Sequence, residues 1–147
     1  MHARRLRRTF ALLALAAGAL AGCSDSPSFP AELAGTFDLV TANGHALPYT
    51  LPGTSAGIVA VLESGSLVIL DNGRFDEVLN FRLTTPDTPA GQPTSAETIG
   101  DVVVNDGQVT FQVRFENDYS GTISANAVTY TKQSQNSSLQ LSWVRDD

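Results

Sequence analysis

The chain has 147 residues and a formal charge of -6, with 42% hydrophobic residues and a single cysteine. That is room for one domain and for no disulfide within the chain. Residues 1–22 hold four of the nine basic side chains and none of the fifteen acidic ones, so Cys23 to Asp147 carries a formal charge of -10. Such an acidic remainder excludes a nucleic-acid binder that relies on a basic face.

The first 22 residues have the grammar of an export signal: a cationic start through Arg8, an apolar run from Phe10 to Leu20, then Ala21 and Gly22 before Cys23. An apolar run of eleven residues is too short for a membrane span, which needs about 20. The segment Ser24-Asp25-Ser26-Pro27-Ser28-Phe29-Pro30 follows as a polar, proline-marked tether. Fully extended it reaches on the order of 20 Å.

From Cys23 onward the chain is poor in helix formers and rich in Val, Ile and Thr, a composition suited to pleated, half-buried surfaces. Asn43-Gly44, Asn72-Gly73 and Asp106-Gly107 are hairpin punctuation, and Ser64-Gly65 and Ala125-Asn126 stand in similar places. Between these marks the pattern predicts strands at Gly35–Ala42, Gly57–Glu63, Ser66–Asp71, Arg74–Thr84, Thr98–Asn105, Gln108–Phe115, Tyr119–Ser124, Ala127–Lys132 and Ser138–Arg145. Alternation assigns an inward set of Phe37, Leu39, Phe75, Leu79, Phe81, Phe111, Phe115, Leu139, Leu141 and Trp143. Ile58 to Leu62 and Leu67 to Leu70 are continuous apolar runs, read as strands covered on both faces or as a contact surface. Thr84 to Glu97, with three prolines and almost no apolar side chains, is expected to be a long solvated loop or a flap.

Short strands joined by hairpins, with no helical crossover, make an all-β antiparallel meander of eight or nine strands. Closure into a barrel removes the exposed edges, and a β-sandwich is the alternative. No internal repeat or second domain is visible. The domains are therefore residues 1–22 as a cleaved signal, 23–32 as a tether and 33–147 as the β domain.

Chemistry-bearing residues are sparse. The only histidine after the signal, His45, stands beside a turn, no serine lies in a Gly-x-Ser-x-Gly elbow, and the turn aspartates do not continue into a calcium loop. Catalytic residues, metal ligands and cofactors are accordingly expected to be none, and an enzyme is the least favoured reading. Glu77 stands out. In the phase of its strand it shares a side with Phe75 and Leu79, so it is either an inward acid in need of a partner or ligand, or is turned out by a bulge.

Two resemblances sharpen this reading. Leu20-Ala21-Gly22-Cys23 resembles the lipobox of bacterial lipoproteins. That resemblance implies cleavage between Gly22 and Cys23, acylation at Cys23 and a membrane as partner, with the outer membrane favoured in a two-membrane envelope because Ser24 rather than aspartate follows the cysteine. An ordinary secretory signal is the alternative. Leu33-Ala34-Gly35-Thr36-Phe37 looks like the glycine-x-tryptophan opening of lipocalin and calycin barrels, with Phe37 for tryptophan, and Val40 to Pro48 resembles the opening of small lipocalin-like lipoprotein domains. In those families a basic residue of the last strand packs across the aromatic, which implies a barrel-closing pair of Phe37 and Arg145. The expected role is that of an envelope lipoprotein with a non-catalytic structural or interaction function. The alternative is a carrier or sensor of a small apolar ligand held in the barrel.

Overall fold

The computed structural model describes residues 29–52, 57–134 and 137–146. The signal, the lipobox and Cys23 lie outside the described residues. A 3-10 turn at Ala31–Leu33 leads into β1 (Gly35–Ala42), followed by β2 (His45–Ala46), β3 (Tyr49–Thr50), β4 (Val59–Ile69), β5 (Arg74–Thr85), β6 (Thr88–Asn105), β7 (Gln108–Val113), β8 (Tyr119–Ile123), β9 (Ala127–Ser134) and β10 (Ser137–Arg145). Every neighbouring pair is antiparallel, and β1 bonds both to β10 and to β4, which closes eight strands into a lipocalin-like barrel. β2 and β3 are short flanking strands on β1 and β4.

The hairpins follow from local chemistry. Asn43-Gly44 and Asp106-Gly107 both hold positive φ at each residue, the conformation that matches the twist of a tight two-residue turn. The turns after β4, β6 and β8 gather at one end of the barrel. There Val102 N donates to Gly73 O at 2.7 Å, Ile123 N to Gly107 O at 3.1 Å and Arg145 N to Asn126 O at 3.0 Å.

Three sequence expectations are corrected. Ser64-Gly65 is not a turn: β4 runs straight through it, with a bulge between Leu62 and Ser64. The lower part of this strand pairs with β1 and the upper part with β3, so the bulge bends one strand past two neighbours. Glycine at 65 leaves room for Trp143 and Leu79, whose atoms would lie 3.0 and 2.9 Å from a Cβ there. Along β4 the apolar runs alternate after all, since Ala60, Leu62, Leu67 and Ile69 are buried while Val59 and Leu70 are 44% and 46% exposed.

The second correction is Thr84 to Glu97, which forms most of a hairpin extending β5 and β6 rather than a loop. Arg82 pairs with Pro93 and Phe81 with Thr94, while β7 pairs with β6 only from Gly100 to Asn105. The outer half of β6 thus has β5 on one side only. Proline is accommodated in such a strand because the open edge requires no N–H.

Third, Phe115 is 95% exposed. β8 pairs with β7 only through Gln108 to Phe111, and Val113 N is taken by Asp118 Oδ1 at 3.1 Å, so the ladder that would fix Phe115 inward has ended before it. The other inward assignments are placed in the barrel: Phe37, Leu39, Phe75, Leu79, Phe111, Leu141 and Trp143 are buried, and Phe81 and Leu139 pack half-buried against them. Val102, Val109, Tyr119, Ile123, Val128 and Tyr130 complete the core from β6 to β9.

Candidate functional site

Because β7 and β8 are short, the upper part of β9 pairs with β10 alone and the upper part of β6 with β5 alone. The wall between β6 and β9 is lowest here, and Lys132 of β9 bridges the interior behind it. Its Nζ donates to Thr98 Oγ1 of β6 at 3.2 Å and to Glu77 Oε1 of β5. Glu77 is completely buried, and it lies in an unbroken register with Leu67 on one side and Thr98 on the other. No bulge turns it outward.

The Glu77 carboxylate has both oxygens engaged, Oε1 by Lys132 and Oε2 by the Tyr130 hydroxyl. Beneath the ion pair lies an aromatic floor. The rings of Tyr119 and Tyr130 are 4.8 Å apart, Phe111 and Tyr119 stack at 5.1 Å, and Tyr130 and Trp143 stack at 6.0 Å. Lys132 Nζ sits 5.1 Å from the Tyr119 ring centroid, within range for a cation–π attraction. Trp143 Nε1 is buried and has no hydrogen-bond partner among the described residues. The Tyr119 hydroxyl is buried and has no polar partner among the described residues.

This environment holds both tyrosines neutral. Burial, reinforced by the Glu77 charge, pushes the Tyr130 and Tyr119 hydroxyls well above the ordinary tyrosine range, and Glu116 adds to the effect at Tyr119. Since the folded values are raised, the unfolded chain ionises first, and it binds fewer protons than the fold at high pH. Stability is therefore expected to be unaffected below the unfolded value of 10.0 and to fall as pH rises above it. Each tyrosine contributes a slope of about 1.4 kcal/mol per pH unit there. Urea melts between neutral and strongly alkaline pH, read by Trp143 emission, check this, and both hydroxyls should ionise only as the protein unfolds.

The other sequence-marked residues are elsewhere. Arg145 lies over Phe37, its guanidinium carbon 4.8 Å from the ring centroid. It donates to Ala34 O at 2.8 Å, to Glu32 O at 3.0 Å and to Ala125 O, tying the chain's entry to the β8–β9 turn at the closed end. Arg82 pairs on the outside with Glu63 at 2.7 Å, and His45 is exposed, stacked on Tyr49 at 5.8 Å. Among the described residues no three His, Cys, Asp or Glu side chains are grouped to hold a metal ion. A groove of about 170 Å³ between Phe29-Pro30, Asn72-Gly73 and Val102 to Asn105 lies at the closed end, below the roughly 300 Å³ at which pockets for drug-sized ligands begin.

Sequence reasoning singled out Glu77 but not Lys132, Tyr130, Tyr119 or Thr98. One signal was available: Val128, Tyr130 and Lys132 share a phase in β9, so an inward Val128 carries the only lysine of the chain inward with it. The chain matches no protein-family model, no curated protein and no solved structure. The assignment to a lipocalin-like barrel rests on closure, strand count and the Phe37–Arg145 packing.

Proposed function

We propose that this chain is a lipid-anchored envelope protein whose barrel carries a small, mostly apolar ligand. The observation that carries the reading is the polar cluster inside the barrel, an ion pair of a fully buried Glu77 with Lys132 beside a Tyr119 hydroxyl that has no hydrogen-bond partner among the described residues. A barrel that served only as a structural plug would gain little from it. Buried ion pairs add little stability over apolar packing of the same volume, and an unsatisfied buried hydroxyl costs roughly 1–3 kcal/mol. Polar groups converging in an otherwise apolar, aromatic interior are the usual furniture of a small-molecule site. This favours the carrier over the purely structural role.

The anchor is supported by the lipobox sequence at Leu20 to Cys23, and by a chain that enters the barrel at its closed end, where Phe29 lines the groove beside Gly73. A tether attached there leaves the opposite end free. Two acyl chains or more hold a soluble domain on a bilayer where one binds only marginally. Cys23→Ser is expected to move the protein from the membrane fraction to the soluble one and to abolish palmitate labelling; a label that persists rejects the anchor. Native mass spectrometry after gentle extraction tests the carrier. Reproducible mass beyond the acyl groups is expected, and a chain that always flies empty rejects cargo.

A further inference from the structure

The charge balance of the interior specifies which ligands fit. Glu77 and Lys132 cancel, and the two Glu77 oxygens are already accepting from Lys132 and Tyr130. Thr98 Oγ1 accepts from Lys132 as well. Two buried donors are left without a partner among the described residues, Trp143 Nε1–H and the Tyr119 O–H, and it is Tyr119, only 5% exposed and packed against Phe75, Phe111 and Tyr130, that lies under Lys132.

A carboxylate or phosphate placed against that hydroxyl would bring a second negative charge beside Glu77, with the single lysine already committed, and a buried unpaired charge is among the most costly things an interior can hold. An ammonium would face Lys132, which sits over the same ring. An alcohol could accept from Tyr119 as well, but it also brings a proton that needs an acceptor of its own. A ketone, ester or similar carbonyl accepts one hydrogen bond, adds no charge and needs nothing further.

We propose that the barrel selects neutral, carbonyl-bearing apolar molecules, whose carbonyl oxygen accepts a hydrogen bond from the Tyr119 hydroxyl while the hydrocarbon part lies against the aromatic core. This rests on the carrier reading, and names the chemical class of its ligand. It gives Tyr119 a role in selecting the ligand, separate from holding the fold.

The test uses purified protein carrying Cys23→Ser at neutral pH, titrated with three matched straight-chain series of medium length: methyl ketones, carboxylic acids and alkanes. Trp143, the only tryptophan, reports binding by its emission, and calorimetry gives the affinities. The ketones are expected to bind about tenfold more tightly than the acids or alkanes of the same chain, the worth of one buried hydrogen bond. Tyr119→Phe keeps the ring, removes the donor and should erase that advantage without weakening the alkanes. In the infrared, the bound ketone carbonyl stretch should shift to lower frequency in the Tyr119-containing protein and not in the variant. Acids binding more tightly than ketones, or a ketone preference that survives Tyr119→Phe, overturns the assignment of the ligand class and leaves the carrier reading standing. Failure of all three series to bind overturns both.

Discussion

Lys132→Met is expected to destabilise the barrel by about 3 kcal/mol or more, the cost of leaving one partner of a buried ion pair behind. Glu77 is fully buried, so its carboxylate would keep only the Tyr130 hydroxyl. The reverse substitution is unequal. Glu77→Gln leaves Lys132, whose side chain is 20% exposed and can withdraw its ammonium toward solvent, so the loss should be closer to about 1–2 kcal/mol. Combining Lys132→Met with Glu77→Leu removes both charges together, and this double variant should recover most of the stability lost by Lys132→Met alone. Urea denaturation of the unsubstituted protein, Lys132→Met, Glu77→Leu and the double variant, which together form a double-mutant cycle, gives the coupling directly. Additive losses would show that the two residues do not act as a pair. The cycle also separates fold from function, because a stable double variant that no longer binds a carbonyl ligand places the ion pair in the site.

The second large effect is expected at Gly121 in β8. It pairs with Tyr130 of β9, and the two strands approach so closely that a Cβ at 121 would lie 1.9 Å from the Thr129 carbonyl oxygen and 2.7 Å from the Tyr130 Cα. These are backbone atoms, and a rotamer change cannot relieve the clash. Gly121→Val should therefore force β9 away and cost about 3 kcal/mol or more. Since Tyr130 holds Glu77, the same displacement should loosen the ion pair and shift Trp143 emission to the red. Gly44→Ala is the matched control. That glycine has positive φ and nothing within 4 Å of its would-be Cβ, so only the backbone conformation opposes a methyl group, at about 1 kcal/mol. Equal losses at the two positions would mean that strand proximity is not what constrains Gly121.

Most of the barrel was legible in the chain because its rules are local. Turn pairs such as Asn43-Gly44 and Asp106-Gly107 mark hairpins by their conformational needs, and strict alternation in Gln108 to Val113 marks a strand with one face buried. Those signals fail where a neighbour that is distant in sequence decides the outcome. Ser64-Gly65 has the composition of a turn, yet Gly65 is there to admit Trp143, 78 positions later. The prolines between Thr84 and Glu97 forbid a central strand but not an edge strand, and whether β6 has a second neighbour depends on where β7 begins. Phe115 continues the alternation of β7 in sequence, but the ladder to β8 ends at Phe111 and the ladder to β6 at Val113, so no pairing reaches it.

The candidate site divides in the same way. By itself, the sequence determined the acidic β domain, most of the turns and the phase that Glu77 shares with Phe75 and Leu79, because each depends on the spacing of residues close together in the chain. Only the tertiary structure decided that Glu77 meets Lys132 and Tyr130, more than 50 positions away, and that the Tyr119 hydroxyl has no partner among the described residues. Those facts depend on barrel closure and on the shortness of β7 and β8, which bring β5, β6 and β9 around one interior space. A one-dimensional pattern records which way a side chain points but not what it will meet.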